Sequence, residues 1–220
     1  MKNSSFWKMV LGALWDGAPG ICHFAITSVC NARCRFCSFA RDVFPAESRH
    51  HVRLADAELA CDILYRNGIR FLHFTGGEPL LIPDFTAMVA YAARIGMNPA
   101  VVTNGSLLTP KRIDALVDAG LAKVCISIDA ATTSVHDENR GLRGVSERIR
   151  RANAALKQRG ISVTASVTMS RLVDYAALPE ALRDLGIGSG DLLLPAAKPS
   201  FLLSLPCEVP ARGVHSGGAL

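Results

Sequence analysis

Short β-branched segments alternate with helical segments along this chain of 220 residues, and the alternation restricts its fold more than any other feature. The strand-like segments lie at about 22–27, 71–74, 100–102, 124–129 and 161–167. Segments with helical periodicity or capping residues follow them, at about 55–66, 83–95, 111–119, 145–159 and 175–185. Repeated βα units predict a parallel sheet with right-handed crossovers. The predicted fold is therefore α/β, a partial (β/α) barrel.

Unusual motifs follow the carboxyl ends of four predicted strands. They are a cluster of three cysteines, then Gly76-Gly77-Glu78-Pro79, then Asn104, and finally Ser127 and Asp129. A loop that carries His136-Asp137-Glu138-Asn139-Arg140-Gly141 is predicted after the fourth strand. In (β/α) barrels the chemistry gathers at the carboxyl ends of the strands. The sequence therefore predicts one functional site at that end of the sheet.

Cys30, Cys34 and Cys37 lie within eight residues directly after the first predicted strand. A buried cysteine acts as a small hydrophobe and needs no partner, so this clustering indicates the ligands of a metal centre. Thiolate is the soft ligand that iron–sulfur clusters and zinc select. Three protein ligands leave one coordination position open, which favours chemistry over a purely structural site.

The cysteine spacing resembles the signature of the radical SAM superfamily, in which an aromatic residue, here Phe36, precedes the last cysteine. The resemblance runs from about Cys22 to Leu185. It implies that the three cysteines hold a [4Fe–4S] cluster, whose fourth iron takes the amino and carboxylate groups of S-adenosylmethionine. The implied enzyme reduces this cofactor, breaks its carbon–sulfur bond and forms a deoxyadenosyl radical, which abstracts hydrogen from an unknown substrate. A flavodoxin or ferredoxin would supply the electron.

The resemblance also suggests cofactor contacts at the second strand. Gly76 and Gly77 look like the glycine-rich element that holds the methionyl amino group, since paired glycines allow close approach of the backbone. Glu78 either fixes this loop or takes part in the contact. The structural alternative is an ordinary tight turn between a strand and a helix.

Polar residues at the next two strands are further candidates for binding the cofactor. Asn104 precedes a glycine, so it is either a site residue or part of an asparagine–glycine turn. Ser127 and Asp129 are two residues apart on one strand and therefore point to the same side. They suit ribose hydroxyls and the zwitterionic end of the cofactor, or they form a structural pair that caps the next turn.

The remaining candidates rest on the resemblance. The stretch with His136 and Arg140 is similar to one in the peptide-modifying branch of the superfamily, which makes Arg140 the candidate partner of the cofactor carboxylate. His136 is expected to order its loop, and His73 to be an interior histidine. Phe36 would line the adenine pocket, with Val167 on the same wall. No catalytic residue is assigned.

Composition limits the remaining function classes. Hydrophobic residues at 50% and a scattered net charge of +5 are typical of a globular chain, so nucleic-acid binding is not expected. Seven cysteines, an odd number with three clustered, do not indicate a disulfide framework. We therefore expect a reducing, cytoplasmic location.

Both ends of the chain differ from its middle. Residues 1–21 are predicted to form a lead-in helix. Its apolar run is too short to span a bilayer. The helix would instead cover the lower mouth of the barrel or touch a membrane surface. Residues 22–187 form the core domain. Residues 188–220 form an irregular tail, in which the expected sixth strand is missing or altered. A shifted reading frame from Ser189 would explain this tail and make the chain a truncated product, which the nucleotide sequence can test.

Three alternatives to a radical SAM enzyme remain open. The cysteines also suit a non-catalytic iron–sulfur protein that carries electrons or senses redox state, and a zinc-stabilised binding domain. A truncated fragment could retain the cluster and lack activity. The substrate of an active enzyme, whether a small molecule or a peptide, cannot be named from this sequence.

Overall fold

A computed structural model describes residues 20–41, 43–168, 170–187 and 192–193. Its six parallel strands form one sheet in the order of the sequence. The strands are β1 (Ile21–Thr27), β2 (Phe71–Gly76), β3 (Asn98–Thr103), β4 (Lys123–Ile128), β5 (Ser162–Val167) and β6 (Leu192–Leu193). The helices are α1 (Leu54–Arg66), α2 (Phe85–Arg94), α3 (Pro110–Asp118), α4 (Thr133–Arg140), α5 (Val145–Gln158) and α6 (Leu178–Asp184). The predicted α/β partial barrel is confirmed.

Helices cover one face of the sheet, because the strands follow one another in order and every crossover turns the same way. Alternate strand residues point to this helical layer and form the hydrophobic core, among them Phe74, Val101 and Ile126. The residues between them point to the opposite side, which we call the inner face. The inner face of β1 to β5 consists of Ile21, His23, Ala25, Phe71, His73, Thr75, Asn98, Ala100, Val102, Lys123, Cys125, Ser127, Ser162, Thr164 and Ser166.

The outer edge of β1 is partly covered by the chain that returns from the cysteine loop. The N–H of Val52 donates to the carbonyl of Ile26 at 2.8 Å, and the N–H of Ser28 donates to the carbonyl of His50 at 3.0 Å. Thr27 and His51 form an antiparallel bridge between these two bonds. The cysteine loop therefore begins and ends beside the carboxyl end of β1.

The prediction of a loop from His136 to Gly141 is wrong, because most of this stretch belongs to α4. Gly141 ends the helix with a positive φ of 60°, and its N–H donates to the carbonyl of Glu138 at 3.0 Å. The helix has few apolar residues, so it lacks the hydrophobic periodicity on which the prediction relied. Its start near Thr132 and its glycine stop were the available signals.

A sixth strand is present. Its two described residues, which form β6, pair in parallel with Ala165 and Ser166 of β5. The rest of the predicted tail and nearly all of the predicted lead-in helix lie outside the described residues, so both remain predictions. No helix in the described part of the chain has the length and apolar character needed to cross a membrane.

Candidate functional site

The three clustered cysteines lie on tight turns after β1. The N–H of Cys37 donates to the carbonyl of Cys34, and the N–H of Ala40 donates to the carbonyl of Cys37, both at 3.2 Å. Two backbone N–H groups point at sulfur: that of Ala32 lies 3.4 Å from Cys30 Sγ, and that of Phe39 lies 3.4 Å from Cys37 Sγ. Such donors favour the thiolate form and tune cluster potentials.

Burial makes two of these thiols weak acids. It raises the pKa of Cys34 to about 11, although the nearby Arg140 charge acts in the opposite direction. It also raises the pKa of Cys30, against the hydrogen bond from Ala32. The pKa of Cys34 also responds to the charges of Cys30 and Cys37, so the three thiols are close enough to interact. Metal ligation would have to displace their protons.

The donor set fits an iron–sulfur cluster in its chemistry. Cys30, Cys34 and Cys37 supply three sulfur ligands from one loop, and thiolate is the ligand type that such a cluster requires. Within the described ranges, no three His, Cys, Asp or Glu side chains are placed to hold one metal ion.

The paired glycines pack directly against the first residues of the cysteine loop. The N–H of Gly77 donates to the carbonyl of Thr27 at 2.7 Å, and that of Glu78 donates to the carbonyl of Val29 at 2.8 Å. A Cβ atom at Gly76 would lie 2.3 Å from the Thr27 oxygen, and one at Gly77 would lie 2.1 Å from the Val29 oxygen. The glycines are therefore needed for contact between two backbone segments, whatever ligand they also bind.

Glu78 connects the carboxyl ends of β2 and β3. Its side chain is fully buried. Its Oε1 accepts hydrogen bonds from Thr103 Oγ1 at 2.7 Å and the Leu80 N–H at 3.1 Å, and its Oε2 accepts one from the Asn104 N–H at 2.8 Å. Burial raises the pKa of Glu78 even though these donors lower it. The contacts favour the role of fixing the loop over direct contact with a cofactor.

Asn104 connects β3 to the cysteine loop. Its Nδ2 donates to Asn31 Oδ1 at 2.8 Å, and its Oδ1 accepts from the N–H of Ser106 at 2.9 Å. Asn31 Nδ2 in turn donates to Ser106 Oγ at 3.0 Å. Sequence reasoning missed Asn31, and its position directly after Cys30 was the only signal that could have suggested it.

Asp129 and Arg140 form a buried ion pair below the cysteine loop. Asp129 is fully buried, and its Oδ1 accepts from Arg140 Nη2 at 2.5 Å. Its Oδ2 accepts from Asn139 Nδ2 at 2.7 Å, and its own N–H donates to His136 Nδ1 at 3.1 Å. Both oxygens of the Asp129 carboxylate thus accept hydrogen bonds from side chains of α4. Asn139 was missed because it lay in a stretch interpreted as a loop.

Arg140 also holds the cysteine loop through its backbone. The N–H of Arg33, which lies between two of the cysteines, donates to the Arg140 carbonyl at 2.8 Å. Burial opposes the charge of Arg140, but Asp129 and Cys34 outweigh it and raise the pKa of this guanidinium. Arg140 Nε is buried and makes no hydrogen bond within the described structure. A buried N–H without a partner is a group that an anionic ligand can satisfy.

Three other residues that were predicted to contact the cofactor lie in three different environments. Phe36 is 43% exposed beside the cysteines, and Ser127 is half-buried on the inner face. Val167 is fully buried in the hydrophobic core and pairs in register with Ile128. Because Val167 points to the helical layer, the structure does not bring its side chain to the inner face with Ser127.

Comparison with known proteins adds an independent finding. The family model of the radical SAM superfamily matches residues 24–185. The AdoMet-dependent heme synthase of Oleidesulfovibrio alaskensis is 29% identical over 160 residues, covering 72% of this chain and 41% of that protein. The PqqA peptide cyclase of Ruegeria pomeroyi is 31% identical over 149 residues, covering 66% of this chain and 38% of that protein.

A solved structure shares the fold. The crystal structure of Streptococcus suis SuiB bound to S-adenosylmethionine is 16% identical in sequence and superposes with a TM-score of 0.65. The match covers 84% of this chain and 43% of SuiB. The chain spans about two fifths of the length of each of these proteins.

Proposed function

Since the chain belongs to the radical SAM superfamily, we propose that it holds a [4Fe–4S] cluster on Cys30, Cys34 and Cys37 and cleaves S-adenosylmethionine reductively. Members of the superfamily use both cofactors, and the curated relatives are named as enzymes. One observation carries the proposal for this chain: Arg140 is buried with no hydrogen-bond partner for its Nε in the described structure, and its carbonyl accepts from the N–H of Arg33, between Cys30 and Cys34, at 2.8 Å. A reduced cluster would supply the electron that breaks the carbon–sulfur bond.

Arg140 is our candidate for binding the carboxylate of S-adenosylmethionine. Asp129 holds one side of the guanidinium through Nη2, which leaves Nε to donate to a ligand. Guanidinium binds carboxylate with well-defined geometry, and burial strengthens the interaction. Asp129 is therefore proposed as a positioning residue for Arg140, because both of its oxygens are already occupied.

The other strand ends would complete the cofactor site. We propose that Gly76 and Gly77 present backbone oxygens to the cofactor amino group, while Glu78 holds their turn against β3. Asn104 and Ser127 remain candidates for polar contacts to the cofactor. Phe36 is the candidate for the adenine, since its exposed ring offers an apolar surface beside the cysteines.

A radical SAM enzyme also needs a substrate and a reductant. The relatives are named for a heme synthase and a peptide cyclase, so both small molecules and peptides are candidate substrates. An electron donor of the flavodoxin or ferredoxin type is proposed, because the cluster must be reduced before it acts. Residues 22–187 are proposed as the core domain that carries the cofactor site.

Anaerobic reconstitution with iron and sulfide tests the cluster. About four irons and four sulfides per chain are expected, with a brown colour. Cys34→Ala should lose this loading, while Cys61→Ala, a change at an equally buried thiol of α1, should keep it. Zinc without iron in anaerobically purified protein would contradict the proposal.

Reduction of the loaded protein in the presence of S-adenosylmethionine tests the reaction. Methionine and 5′-deoxyadenosine should form with the parent protein and with Cys61→Ala. Arg140→Lys keeps a positive charge beside Asp129 but removes the guanidinium Nε, so it should keep the iron and bind the cofactor more weakly, by roughly tenfold or more. An iron-loaded protein that leaves the cofactor intact would instead indicate electron transfer or redox sensing.

A further inference from the structure

The cysteine loop presents basic side chains to solvent. From residue 28 to residue 51 the chain has four arginines and only two carboxylates. The arginines are Arg33, Arg35, Arg41 and Arg49, and all four are exposed. We use the name basic surface for the exposed side chains of Arg35, Arg41, Val43 and Arg49. This surface lies beside the proposed cluster ligands, because Arg35 directly follows Cys34.

Hydrogen bonds within the loop hold the basic surface in place. The guanidinium of Arg49 donates from Nε to the Phe44 carbonyl and from Nη2 to the Arg41 carbonyl, both at 3.2 Å. The N–H of Arg41 donates to the carbonyl of Ala32, which lies between two of the cysteines, at 2.8 Å. The rings of Phe39 and Phe44 pack with their centroids 6.1 Å apart. A partner can therefore bind this surface without first ordering it.

Two features of the basic surface suit contact with a protein. Val43 is 55% exposed and adds an apolar group to the charged ones. Arginine is enriched at protein interfaces, whose buried centres are apolar. Arg35 and Arg49 form no ion pair within the part of the chain that the structure describes, so their charges remain available to a partner.

The arginines of α5 differ in this respect. Arg150 and Arg151 both pair with Glu147, and Arg159 pairs with two carboxylates of α3. Such internal ion pairs reduce the electrostatic field that an approaching partner meets. The exposed Arg148 belongs to the same helix and forms no ion pair within the described ranges, which makes it a matched control for Arg35.

We propose that an electron-carrier protein of net negative charge docks on the basic surface and reduces the cluster from there. The carrier loses one electron and the cluster gains it, so the step needs no further reactant. Opposite charges on the two proteins steer their encounter and raise the association rate. Docking at this place presupposes the proposed cluster on the three cysteines.

Binding can be measured without turnover. The iron-loaded, oxidised protein is titrated in a calorimeter with an oxidised flavodoxin of net negative charge. Arg35→Glu reverses one charge of the basic surface and should weaken binding by roughly tenfold at low salt. Arg148→Glu makes the same change on α5 and should leave binding unchanged. The difference between the two variants should shrink from about 0.01 M to about 0.1 M salt, because the Debye length falls from roughly 30 Å to roughly 10 Å.

Turnover shows whether this contact carries the electron. Arg35→Glu should slow the formation of methionine by a similar factor when reduced flavodoxin is the donor. With dithionite, which needs no docking surface, the rate should stay the same. Arg35→Lys keeps the positive charge and should restore the rate with flavodoxin. Loss of iron loading in both variants would assign Arg35 to the fold of the loop and contradict the proposal.

The apolar part of the basic surface has its own matched pair of substitutions. Val43→Asp should weaken the binding of flavodoxin. Leu59→Asp changes a leucine of α1 that is 59% exposed, and it should leave that binding unchanged. Equal weakening by the two variants would show that a negative charge anywhere on the protein is sufficient, and would contradict docking at the cysteine loop.

Failure of the docking and failure of the proposed chemistry give different results. Flavodoxin binding that Arg35→Glu leaves unchanged, or that Arg148→Glu weakens equally, would overturn the docking. Binding of a short RNA that depends on Arg35, with flavodoxin binding unaffected, would assign the surface to nucleic acid and overturn it as well. A parent protein that binds flavodoxin through Arg35 but leaves S-adenosylmethionine intact after reduction by dithionite would support the docking and contradict the proposed function.

Discussion

The two ends of the inner face satisfy their polar groups in different ways. At the carboxyl end, Glu78 and Asp129 are fully buried and use both of their oxygens in hydrogen bonds to neighbouring elements. At the amino end, His23 and His73 meet through their rings beside an exposed isoleucine. Buried charges are costly unless every partner is present, so the carboxyl end has a single well-defined arrangement. The amino end depends far less on any one residue.

Asp129→Ala should produce the largest difference between the two ends. It leaves Arg140 buried and unpaired, which costs about 3–5 kcal/mol in the free energy of unfolding. Ser162→Ala changes an exposed residue that pairs in register with Lys123. It should alter the free energy of unfolding by less than about 0.5 kcal/mol. Urea unfolding measures both, and similar values for the two variants would contradict the comparison.

Gly77→Ala should have the next largest effect. The added methyl group would lie 2.1 Å from the Val29 carbonyl oxygen, so the backbone before Cys30 must move. Such overpacking costs about 1–3 kcal/mol, and we expect iron loading to fall as well. Gly20→Ala is the control at the amino end, since its Cβ meets nothing within 4 Å. Normal iron loading of Gly77→Ala would show that the glycine turn does not position the cysteines.

Glu78→Gln should reveal how pH acts on the carboxyl end. Burial raises the pKa of Glu78 above its ordinary value of 4.5, so the folded state holds the proton more tightly than the unfolded state. The contribution of Glu78 to stability is therefore present below about pH 4.5 and is lost as the pH rises through the folded-state pKa. One unit of pKa difference corresponds to about 1.4 kcal/mol.

The measurement is the free energy of unfolding of the parent minus that of Glu78→Gln, followed upward from pH 4.5. This difference should decrease with pH. A difference that increases would mean that the hydrogen bonds to Glu78 outweigh its burial.

His73→Gln should show the opposite pH dependence at the amino end, with a smaller effect. The pKa of His73 is lowered from 6.5 to about 4, chiefly by burial, so the unfolded state binds the proton more readily. Its contribution to stability is present above about pH 6.5 and is lost as the pH falls towards 4. Because the ring is partly exposed, solvent screening reduces the effect.

Unfolding of the parent and of His73→Gln between pH 7 and pH 4 measures this contribution, with His50→Gln as a control at an exposed loop position. The free energy of unfolding of the parent minus that of His73→Gln should shrink with falling pH. The corresponding difference between the parent and the His50→Gln control should stay the same. Parallel curves for all three proteins would remove the pH contrast between the two ends.

The sequence was sufficient for the fold because each element had its own local signal. Pro110 at the start of α3, and the glycines after α1, α2 and α3, fixed where those helices begin and end. The α4 helix was not predicted, because its mostly polar residues show no hydrophobic periodicity. Its start and stop signals became informative only once Gly141 was seen in the left-handed conformation.

The site could be located from sequence, but its connections could not. The cysteines, glycines and carboxylates were found because they follow strand ends. The bond between Asn104 and Asn31 joins residues 73 apart, and the bond between Asp129 and Asn139 depends on α4 being a helix. Tertiary pairing of this kind leaves no local pattern in the sequence. The sequence therefore did not reveal that both carboxylate oxygens of Glu78 and of Asp129 accept hydrogen bonds within the protein.

The loop that returns along the edge of β1 has a consequence for association between molecules. Val52 and His50 already use the backbone groups of Ile26 and Ser28, so a strand from a second molecule cannot hydrogen-bond along the whole of β1. Sheet extension across open edges is a common route to insoluble aggregates. The same residues that bring the cysteine loop back to the barrel thus protect the carboxyl end of this edge from aggregation.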